Sequence, residues 1–449
     1  MIITMENVGP IKHYQFDLDK DFHLLIGDNS VGKSYAISIV YLVLKSFCDD
    51  DKIYYYNQEN NHGINVVDDE NSILTERYYD KIKIFLYQKN IEKLFMATFN
   101  TISDMKNRYN TDESKIIVSS SVLSLEYIIS NCVETKVKIH KKIKSQDSQQ
   151  IRDPQEFDDR IIFYCKNPVL ESNDLSVFFN KYFVDEIKKY TQFKYFLPAS
   201  RSGLYQALSA FNQILLELAK SRSFLKSTMT LPGISEPLSD YFMALLDSGN
   251  NHKNIQDLMM ENNAVPDEKL VAVVRQIEKE ILKGTIEFDK ISKKIIFISD
   301  HANMRMDLSA TSSMVSEVSP IWIFIHDILQ LKVEKGDIHA ILFIEEPEAH
   351  LHPEVQVKLT EIFAGLIQCG VKVVMTSHSN YIFNKVNNVL LAGQLDPAQV
   401  QVTVMRMEEG GSVGHPLPVD ALGVDDENFV DVAERLYEEK MALFARISG

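Results

Sequence analysis

Residues 24–37 read LLIGDNSVGKSYAI and contain the spacing of a phosphate-binding loop. Gly27 is followed by four unspecified positions and then by Gly32, Lys33 and Ser34. A short apolar run precedes the loop and a helical pattern follows it, so the loop stands between a predicted strand and a predicted helix. This context favours a phosphate-binding loop over a plain strand-to-helix turn.

The chemistry of the loop predicts a site for nucleotide phosphates. Successive backbone N–H groups can point at phosphate oxygens, and the start of the following helix adds a favourable dipole. Lys33 is predicted to contact the β- and γ-phosphates, and the Ser34 hydroxyl is predicted to ligate Mg²⁺. The residues predicted to line this site are Gly27, Asp28, Asn29, Ser30, Val31, Gly32, Lys33, Ser34 and Tyr35.

Two adjacent acids follow a second apolar run, in ILFIEEPEAHLHP at residues 341–353. A strand that emerges from the core delivers its last side chains to a site at its carboxyl end. We predict that Glu345 holds Mg²⁺ through water and that Glu346 orients and polarises the attacking water. The alternative is a solvated charge pair at a strand end, which the phosphate-binding loop makes less favoured because phosphoryl transfer needs an acidic metal partner.

A histidine follows a third apolar run, in VVMTSHSNYIF at residues 373–383. His378 is predicted to hydrogen-bond the γ-phosphate or the attacking water. The alternative is an ordinary histidine without a functional role. Its place directly after a strand, about thirty residues beyond the acidic pair, favours the functional interpretation.

Small hydroxyl residues cluster in DLSATSSMVSEVSP at residues 307–320. They are predicted either to cap the following helix or to form an anion site with the helix N-terminus, and the local sequence favours capping. The four residues are Ser309, Thr311, Ser312 and Ser313.

Two basic features, an arginine and a lysine-rich stretch, have two interpretations each. Arg201, in FLPASRSG, is predicted to reach the nucleotide or a partner, or to pair with a carboxylate. The stretch KVKIHKKIK at residues 136–144 is the densest basic run. It fits an edge strand protected by lysines, and DNA binding is the alternative.

Composition limits the class of protein. The chain of 449 residues has a net charge of -16 and a pI near 5.3, so any contact with nucleic acid must be a local basic surface. The four cysteines form no C-x-x-C pair, and no signal peptide or membrane span is visible in the sequence. We therefore expect a cytoplasmic protein with no membrane contact.

The order of elements predicts an α/β fold of two or three parts. Residues 1–203 would form a first lobe with an insertion at about 48–190, 204–284 a helical arm or lid, and 285–449 a second lobe. Strands are expected at 116–123 and 135–143, and a polar linker is expected from Ser145. A hairpin at 401–419 and an acidic helix from about Glu427 would end the chain.

Taken together, the motifs resemble the ABC-type ATPases of the RecF, SMC and OLD group. The resemblance is strongest in residues 1–47, 193–204 and 305–385. The sequences EEPEAHLHP and TSHSNYI look especially like those of the OLD-type ATPases of bacterial anti-phage defence. A chain of this size resembles the ATPase subunits of two-gene systems such as PARIS and Septu. The fold implied is an ABC-type P-loop head, a mixed sheet flanked by helices with an N-terminal antiparallel β subdomain.

The resemblance assigns a role to each motif. ATP and Mg²⁺ are the implied ligands. Lys33 and Ser34 match the Walker A motif, Glu345 stands at the Walker B aspartate position, and Glu346 matches the catalytic glutamate. Residues 349–352 match the D-loop, and His378 matches the switch histidine.

The signature segment of this group is matched by residues 309–313, although they depart from L-S-G-G-Q. In such proteins this segment completes the ATP site of the opposite subunit, so the resemblance implies a homodimer or a larger assembly of dimers. No clear Q-loop glutamine is present, and residues 198–201 are the nearest candidate.

The functional hypothesis is an ATPase that acts as a sensor and scaffold for a separate effector, of nuclease or Toprim type. Only about 65 residues follow the His378 motif, fewer than a usual domain, so no nuclease is expected in this chain. The alternatives are a RecF-like repair ATPase that contacts DNA directly, and a protein in which nucleotide serves only as structural glue.

Overall fold

The structure is a computed structural model that describes residues 1–47, 85–109, 112–147, 152–158, 160–165, 181, 185–207, 234–251, 253, 267–289, 294–301, 304–424 and 437–444. The strands of this part of the chain are β1 (Ile2–Val8), β2 (Ile11–Asp17), β3 (Phe22–Gly27), β4 (Ser114–Ser119), β5 (Leu123–Ile129), β6 (Val133–Ile139), β7 (Lys142–Asp147), β8 (Arg152–Glu156), β9 (Arg160–Cys165), β10 (Phe193–Leu197), β11 (Gly284–Asp289), β12 (Lys294–Ser299), β13 (Arg305–Asp307), β14 (Ala340–Glu345), β15 (Val371–Thr376), β16 (Val400–Glu408), β17 (Gly411–Leu417), β18 (Val419–Asp420) and β19 (Gly423–Val424). The α-helices are α1 (Lys33–Ser46), α2 (Phe85–Phe99), α3 (Asp185–Thr191), α4 (Glu236–Asn251), α5 (Glu268–Gln276), α6 (Ser313–Lys335), α7 (Pro353–Gln368) and α8 (Asn380–Leu391).

The main sheet has eleven strands in the order β10-β14-β15-β3-β16-β17-β2-β1-β4-β5-β6. The strands from β10 to β16 in this order are parallel, and β1, β2, β4, β5 and β6 pair in antiparallel fashion. The predicted α/β fold with a mixed sheet and flanking helices is therefore confirmed. Because β14, β15 and β3 are parallel neighbours, their carboxyl ends meet at one edge of the sheet.

Helices cover both faces of the sheet, so its central strands are buried on both sides. Side chains of β14 alternate between two hydrophobic cores: Ile341 and Phe343 pack in the core that contains α1, whereas Leu342 and Ile344 pack in the core that contains α6 and α7. By the same alternation, the side chain after Ile344 faces α1 again. This period of two places Glu345 on the side of the phosphate-binding loop.

Helix α4 packs on β10 of the parallel part of the sheet, and α5 packs on α6 and α7. Tyr241 of α4 and Leu270 of α5 belong to the same buried core as Leu342 of β14. A π-helical turn, Ile277–Leu282, continues α5 and ends at Lys283, which adopts a left-handed conformation with φ 52°. The division of the chain into two lobes and an arm stays a prediction.

The structure confirms some predictions for residues 114–165 and contradicts others. The strands expected at 116–123 and 135–143 correspond to β4 and β6, which begin and end at other residues, whereas β5 and most of β7 were not predicted. The polar linker expected from Ser145 is replaced, in its described residues, by the end of β7 and by β8, which both pair with β9. Hydrogen bonds to the apolar strand β9 hold these polar strands in a sheet, so hydrophobic periodicity could not reveal them.

The lysine-rich stretch and the C-terminal region largely follow the predictions. Strand β6 carries residues 136–139 of the lysine-rich stretch and lies at the edge of the main sheet as expected, whereas β7 carries residues 142–144 at the edge of a separate three-stranded sheet. The C-terminal hairpin is confirmed: β16 and β17 pair antiparallel, and the turn between them is formed by Glu409 and Gly410. The start predicted for the last helix, Glu427, lies outside the described residues, and residues 437–444 are helical. Among the described helices, none is long and apolar enough to cross a membrane.

Candidate nucleotide site

The phosphate-binding loop joins β3 to α1 and has an unusual backbone. Gly27, Ser30 and Gly32 have positive φ angles of 139°, 64° and 85°. A Cβ atom at Gly27 would lie 2.3 Å from the carbonyl oxygen of Met405 on the neighbouring strand β16, so only glycine fits there. Helix α1 begins without a side-chain cap, so its first N–H groups keep no side-chain partner of their own and can serve an anion.

Lys33 lies across this loop. Its Nζ donates to the carbonyl oxygens of Gly27 at 3.0 Å and Asp28 at 2.7 Å, and the residue is 5% exposed. Burial lowers the pKa of Lys33 from 10.5 to about 8, against the opposing charges of Glu346, Asp28 and Glu348. The ammonium group is thus held by loop carbonyls at the position from which it would reach bound phosphates.

Glu345 and Ser34 meet at the edge of the sheet. Glu345 ends β14, and its carboxylate accepts hydrogen bonds from the Ser34 hydroxyl and the backbone N–H of Ala199. Burial raises the pKa of Glu345, and these hydrogen bonds partly oppose that rise. A buried carboxylate beside a hydroxyl is a set of hard oxygen donors, which fits Mg²⁺ that keeps most of its coordination for water and phosphate.

Glu346 has the strained backbone of this site. Its φ angle is 43°, which is uncommon for a residue other than glycine. Its N–H donates to the carbonyl oxygen of Thr376 at 3.1 Å and lies 3.3 Å from the Thr376 hydroxyl oxygen. Its Oε1 lies 3.7 Å from Nε2 of His378, so the structure brings these two predicted residues together. Both side chains are partly exposed, as groups that meet a substrate must be.

Glu348, which the sequence motifs did not predict as a site residue, links the acidic segment to the histidine. Its Oε1 accepts hydrogen bonds from the Ser377 hydroxyl at 2.9 Å and from the His378 backbone N–H at 2.5 Å. Its Oε2 is buried without a hydrogen-bond partner, and burial raises the pKa of the carboxyl group. The third acid in the EEPEAH sequence was the available signal, but only the fold shows that it turns inward toward residues 377 and 378.

The predicted signature residues are engaged with their own segment. Ser309 donates to the Asp307 carboxylate at 2.7 Å, and Thr311 donates to the Leu308 carbonyl at 2.7 Å. Ser312 caps α6 by accepting from the Val315 N–H, as the local sequence favoured. Ser313 is the first residue of α6. These contacts describe the segment in one chain, and its predicted contact with ATP in a partner stays a prediction.

Arg201 takes the second of its two predicted roles within the chain. It is fully buried, and its Nε lies 3.3 Å from the carboxylate of Glu317 on α6. The other contacts of its guanidinium are made to the main chain. Arg201 is therefore an interior residue directly behind the acidic pair.

Comparison with known proteins places the chain in a family. The family described as "AAA ATPase domain" (AAA_15) matches residues 1–383, which include the loop, the acidic pair and the histidine. A search of curated proteins found no match.

Several solved structures are similar over most of their length. An Smc head bound to the C-terminal winged-helix domain of ScpA is 9% identical, with coverage of 93% of this chain and 97% of that chain and a TM-score of 0.43. An Smc head with an extended coiled coil, bound to the C-terminal domain of ScpA derived from Pyrococcus furiosus, is 9% identical, with coverage of 98% of each chain and a TM-score of 0.39. The SMC head domain from Thermotoga maritima is 7% identical, with coverage of 93% and 98% and a TM-score of 0.36. With such low identities and TM-scores these are distant resemblances.

Proposed function

From the premise that the chain belongs to the AAA ATPase domain family, we propose that it binds and hydrolyses ATP at the edge of the sheet described above. One observation carries the proposal: the phosphate-binding loop after β3, the acidic pair after β14 and the histidine after β15 lie on three neighbouring parallel strands. Phosphoryl transfer needs such a convergence, because it depends on positioning and on stabilisation of charge.

Binding would use the loop and Lys33. Nucleotide phosphates would replace the carbonyl oxygens of Gly27 and Asp28 as hydrogen-bond acceptors of the Lys33 ammonium group. The positive-φ residues of the loop turn successive N–H groups toward the same space, where the start of α1 adds its dipole. Because these contacts recognise phosphate groups and not a nucleobase, they would select for the phosphate chain of a nucleotide and not for the identity of its base.

Hydrolysis would use Glu346 and His378. Glu346 would accept a proton from water and hold that water in line with the γ-phosphate, while His378 would donate to the phosphate or to the water. Ser34 and, through water, Glu345 would hold Mg²⁺, which would neutralise phosphate charge when bound.

The decisive experiment replaces one oxygen of the proposed base. Glu346→Gln keeps the shape of the side chain, so nucleotide affinity should persist while kcat falls about 10²- to 10⁴-fold, the range for loss of positioned proton transfer. Glu354→Gln is the matched control, because Glu354 lies in the first turn of α7 with a 73% exposed side chain. Unchanged turnover in Glu346→Gln would remove Glu346 from this role, and absence of ATPase activity in the wild type would refute the proposal.

We propose further that ATP joins two copies of the chain, with residues 309–313 of one copy completing the site of the other. This proposal rests on the resemblance to ABC-type ATPases. Nucleotide that binds only the dimer shifts association toward the dimer. Light scattering should therefore show Glu346→Gln as a dimer or larger assembly with ATP, and Lys33→Ala should abolish the shift. The same oligomeric state with and without nucleotide would contradict the proposal.

The biological role that we propose is a nucleotide-dependent scaffold for a separate effector in anti-phage defence. It is supported by the OLD-like sequence of residues 345–353 and 376–382. Co-purification with the product of the neighbouring gene, in wild type and Lys33→Ala, tests it, and no association under any nucleotide condition would contradict it. Tight DNA binding with a steep salt dependence would instead favour the RecF-like alternative.

A further inference from the structure

Arg201 is a fully buried charged side chain near the proposed site. It begins the helical segment 201–207, which three residues separate from the end of β10, and none of its surface is exposed. A buried guanidinium is costly unless its donors are satisfied, so the groups that it contacts reveal what it holds in place.

Most of these contacts are made to main-chain carbonyl oxygens, those of Glu345 and Glu346 in the proposed catalytic segment and that of Pro198 after β10. Nη1 donates to the carbonyl oxygen of Glu345 at 2.9 Å and to that of Pro198 at 3.1 Å, and Nη2 donates to that of Glu346 at 3.4 Å. The planar guanidinium presents these donors in a rigid fork. It therefore fixes two consecutive peptide groups relative to each other as well as to β10.

The peptide of Glu346 requires such support. A residue with φ near 43° persists only where the surrounding structure holds it there. Thr376 on β15 holds the N–H side of Glu346, and Arg201 contacts its carbonyl side. These two contacts approach the residue from different elements and fix the direction in which its side chain leaves the main chain.

The charge of Arg201 is balanced by Glu317, a fully buried residue of α6. Nε of Arg201 donates to the Glu317 carbonyl at 3.2 Å and lies 3.3 Å from its Oε2, while Oε1 of Glu317 accepts from the Ser202 hydroxyl at 2.5 Å. The Tyr241 hydroxyl donates to the Arg201 carbonyl. Contacts with α6 and α4 thus hold Arg201 in place beside the proposed catalytic segment.

We propose that Arg201 is a positioning residue for ATP hydrolysis, which sets the orientation of the Glu345 and Glu346 carboxylates by binding their backbone carbonyls. The inference rests on the ATPase function proposed above. It predicts an effect on kcat and little effect on nucleotide affinity, because the hydrogen bonds and the ion pair of the Arg201 side chain are made to Pro198, Glu317, Glu345 and Glu346 and not to the phosphate-binding loop.

Two variants test the proposal. Arg201→Lys keeps the positive charge beside Glu317 but has a point charge in place of a planar fork, so it should fold and lose the fixed geometry. Arg201→Met combined with Glu317→Gln removes both buried charges and keeps the acceptor for Ser202, which protects the fold. Arg108→Met is the control, because Arg108 is a surface residue paired with Asp104.

We expect both variants to bind a non-hydrolysable ATP analogue within about threefold of the wild type and to lose at least about tenfold in kcat, since small displacements of catalytic groups have large effects. Thermal melting identifies the variants that are folded. A folded variant of either kind with wild-type kcat would overturn the positioning role, as would a loss confined to nucleotide affinity. The proposed function itself is tested by the wild type and Glu346→Gln, so the two failures are distinct.

Discussion

Replacement of Gly27 by alanine tests how the phosphate-binding loop is held against the sheet. The new Cβ would lie 2.3 Å from the Met405 carbonyl oxygen and 3.2 Å from its carbonyl carbon, both in the main chain of β16. A main-chain clash cannot be relieved by a rotamer change, so β3 and β16 must separate. Overpacking costs about 1–3 kcal/mol, and a φ angle of 139° adds about 1–3 kcal/mol of strain for alanine. We expect a loss of about 2–6 kcal/mol in the free energy of unfolding, together with weaker nucleotide binding.

Gly370→Ala is the matched control for this substitution. Gly370 also has a positive φ angle, 75°, but an added Cβ there meets nothing within 4 Å. It should cost only about 1–2 kcal/mol, the strain of a left-handed residue. Urea unfolding can follow the fluorescence of Trp322, the single tryptophan of the chain, which is buried on α6. If Gly27→Ala destabilises the protein no more than Gly370→Ala, the close approach of β16 does not constrain the loop.

Three further substitutions test the packing around the site. Gly203→Ala, in the helical segment 201–207 with open space around it, should stabilise the protein by about 0.5–1 kcal/mol, and a destabilisation in urea unfolding would contradict that reading. Burial raises the pKa of Asp327 from 3.8 to about 7, although the Ser248 hydroxyl donates to it. Between these pH values the folded state holds a proton that the unfolded state has lost, so stability falls as pH rises from 4 to 7. For a fully buried carboxyl group this pKa shift would lower the free energy of unfolding by about 4 kcal/mol, and the partial exposure of Asp327 reduces that loss. Asp327→Asn should therefore raise the free energy of unfolding by about 1–2 kcal/mol at pH 8 and by almost nothing at pH 4. Equal gains at the two pH values would show that ionisation is not the cause. Lys45→Met should cost about 1–3 kcal/mol in urea unfolding, because Lys45 of α1 binds Asp240 of α4 at 2.6 Å and its loss removes the positive charge beside that carboxylate, to which, within the described part of the chain, only the Tyr41 hydroxyl of α1 would still donate; an unchanged midpoint would exclude this link between the helices.

The local sequence was sufficient for the elements that carry their own signals. The loop of residues 27–34 combines glycines, a lysine and a hydroxyl at fixed spacing between a strand and a helix, and the structure has that order. Apolar runs predicted β14 and β15, because central strands covered on both faces are apolar without interruption. Short-range rules also predicted that the hydroxyl cluster at residues 309–313 caps the following helix, and Ser312 caps α6.

Spatial relations needed the tertiary structure. Lys33 and Glu345 are more than three hundred positions apart in the sequence, and only the order of β14, β15 and β3 in the sheet brings their ends together. The sequence of Arg201 left two roles open, and its partner Glu317 lies on a helix whose packing no local pattern specifies. Glu348 was missed for the same reason, since its inward orientation depends on the turn after β14.

The division follows from the range of the forces. Backbone conformation, capping and hydrophobic period depend on neighbouring residues, so the sequence by itself determined the strand–loop–helix unit at residues 22–46, the apolar strands β14 and β15 and the capping of α6. Strand order, the pairing of polar strands such as β7 and β8, and the partners of buried charges depend on contacts between segments distant in sequence, so only the tertiary structure decided that Glu348 turns inward and that Arg201 contacts the main chain of Glu345 and Glu346.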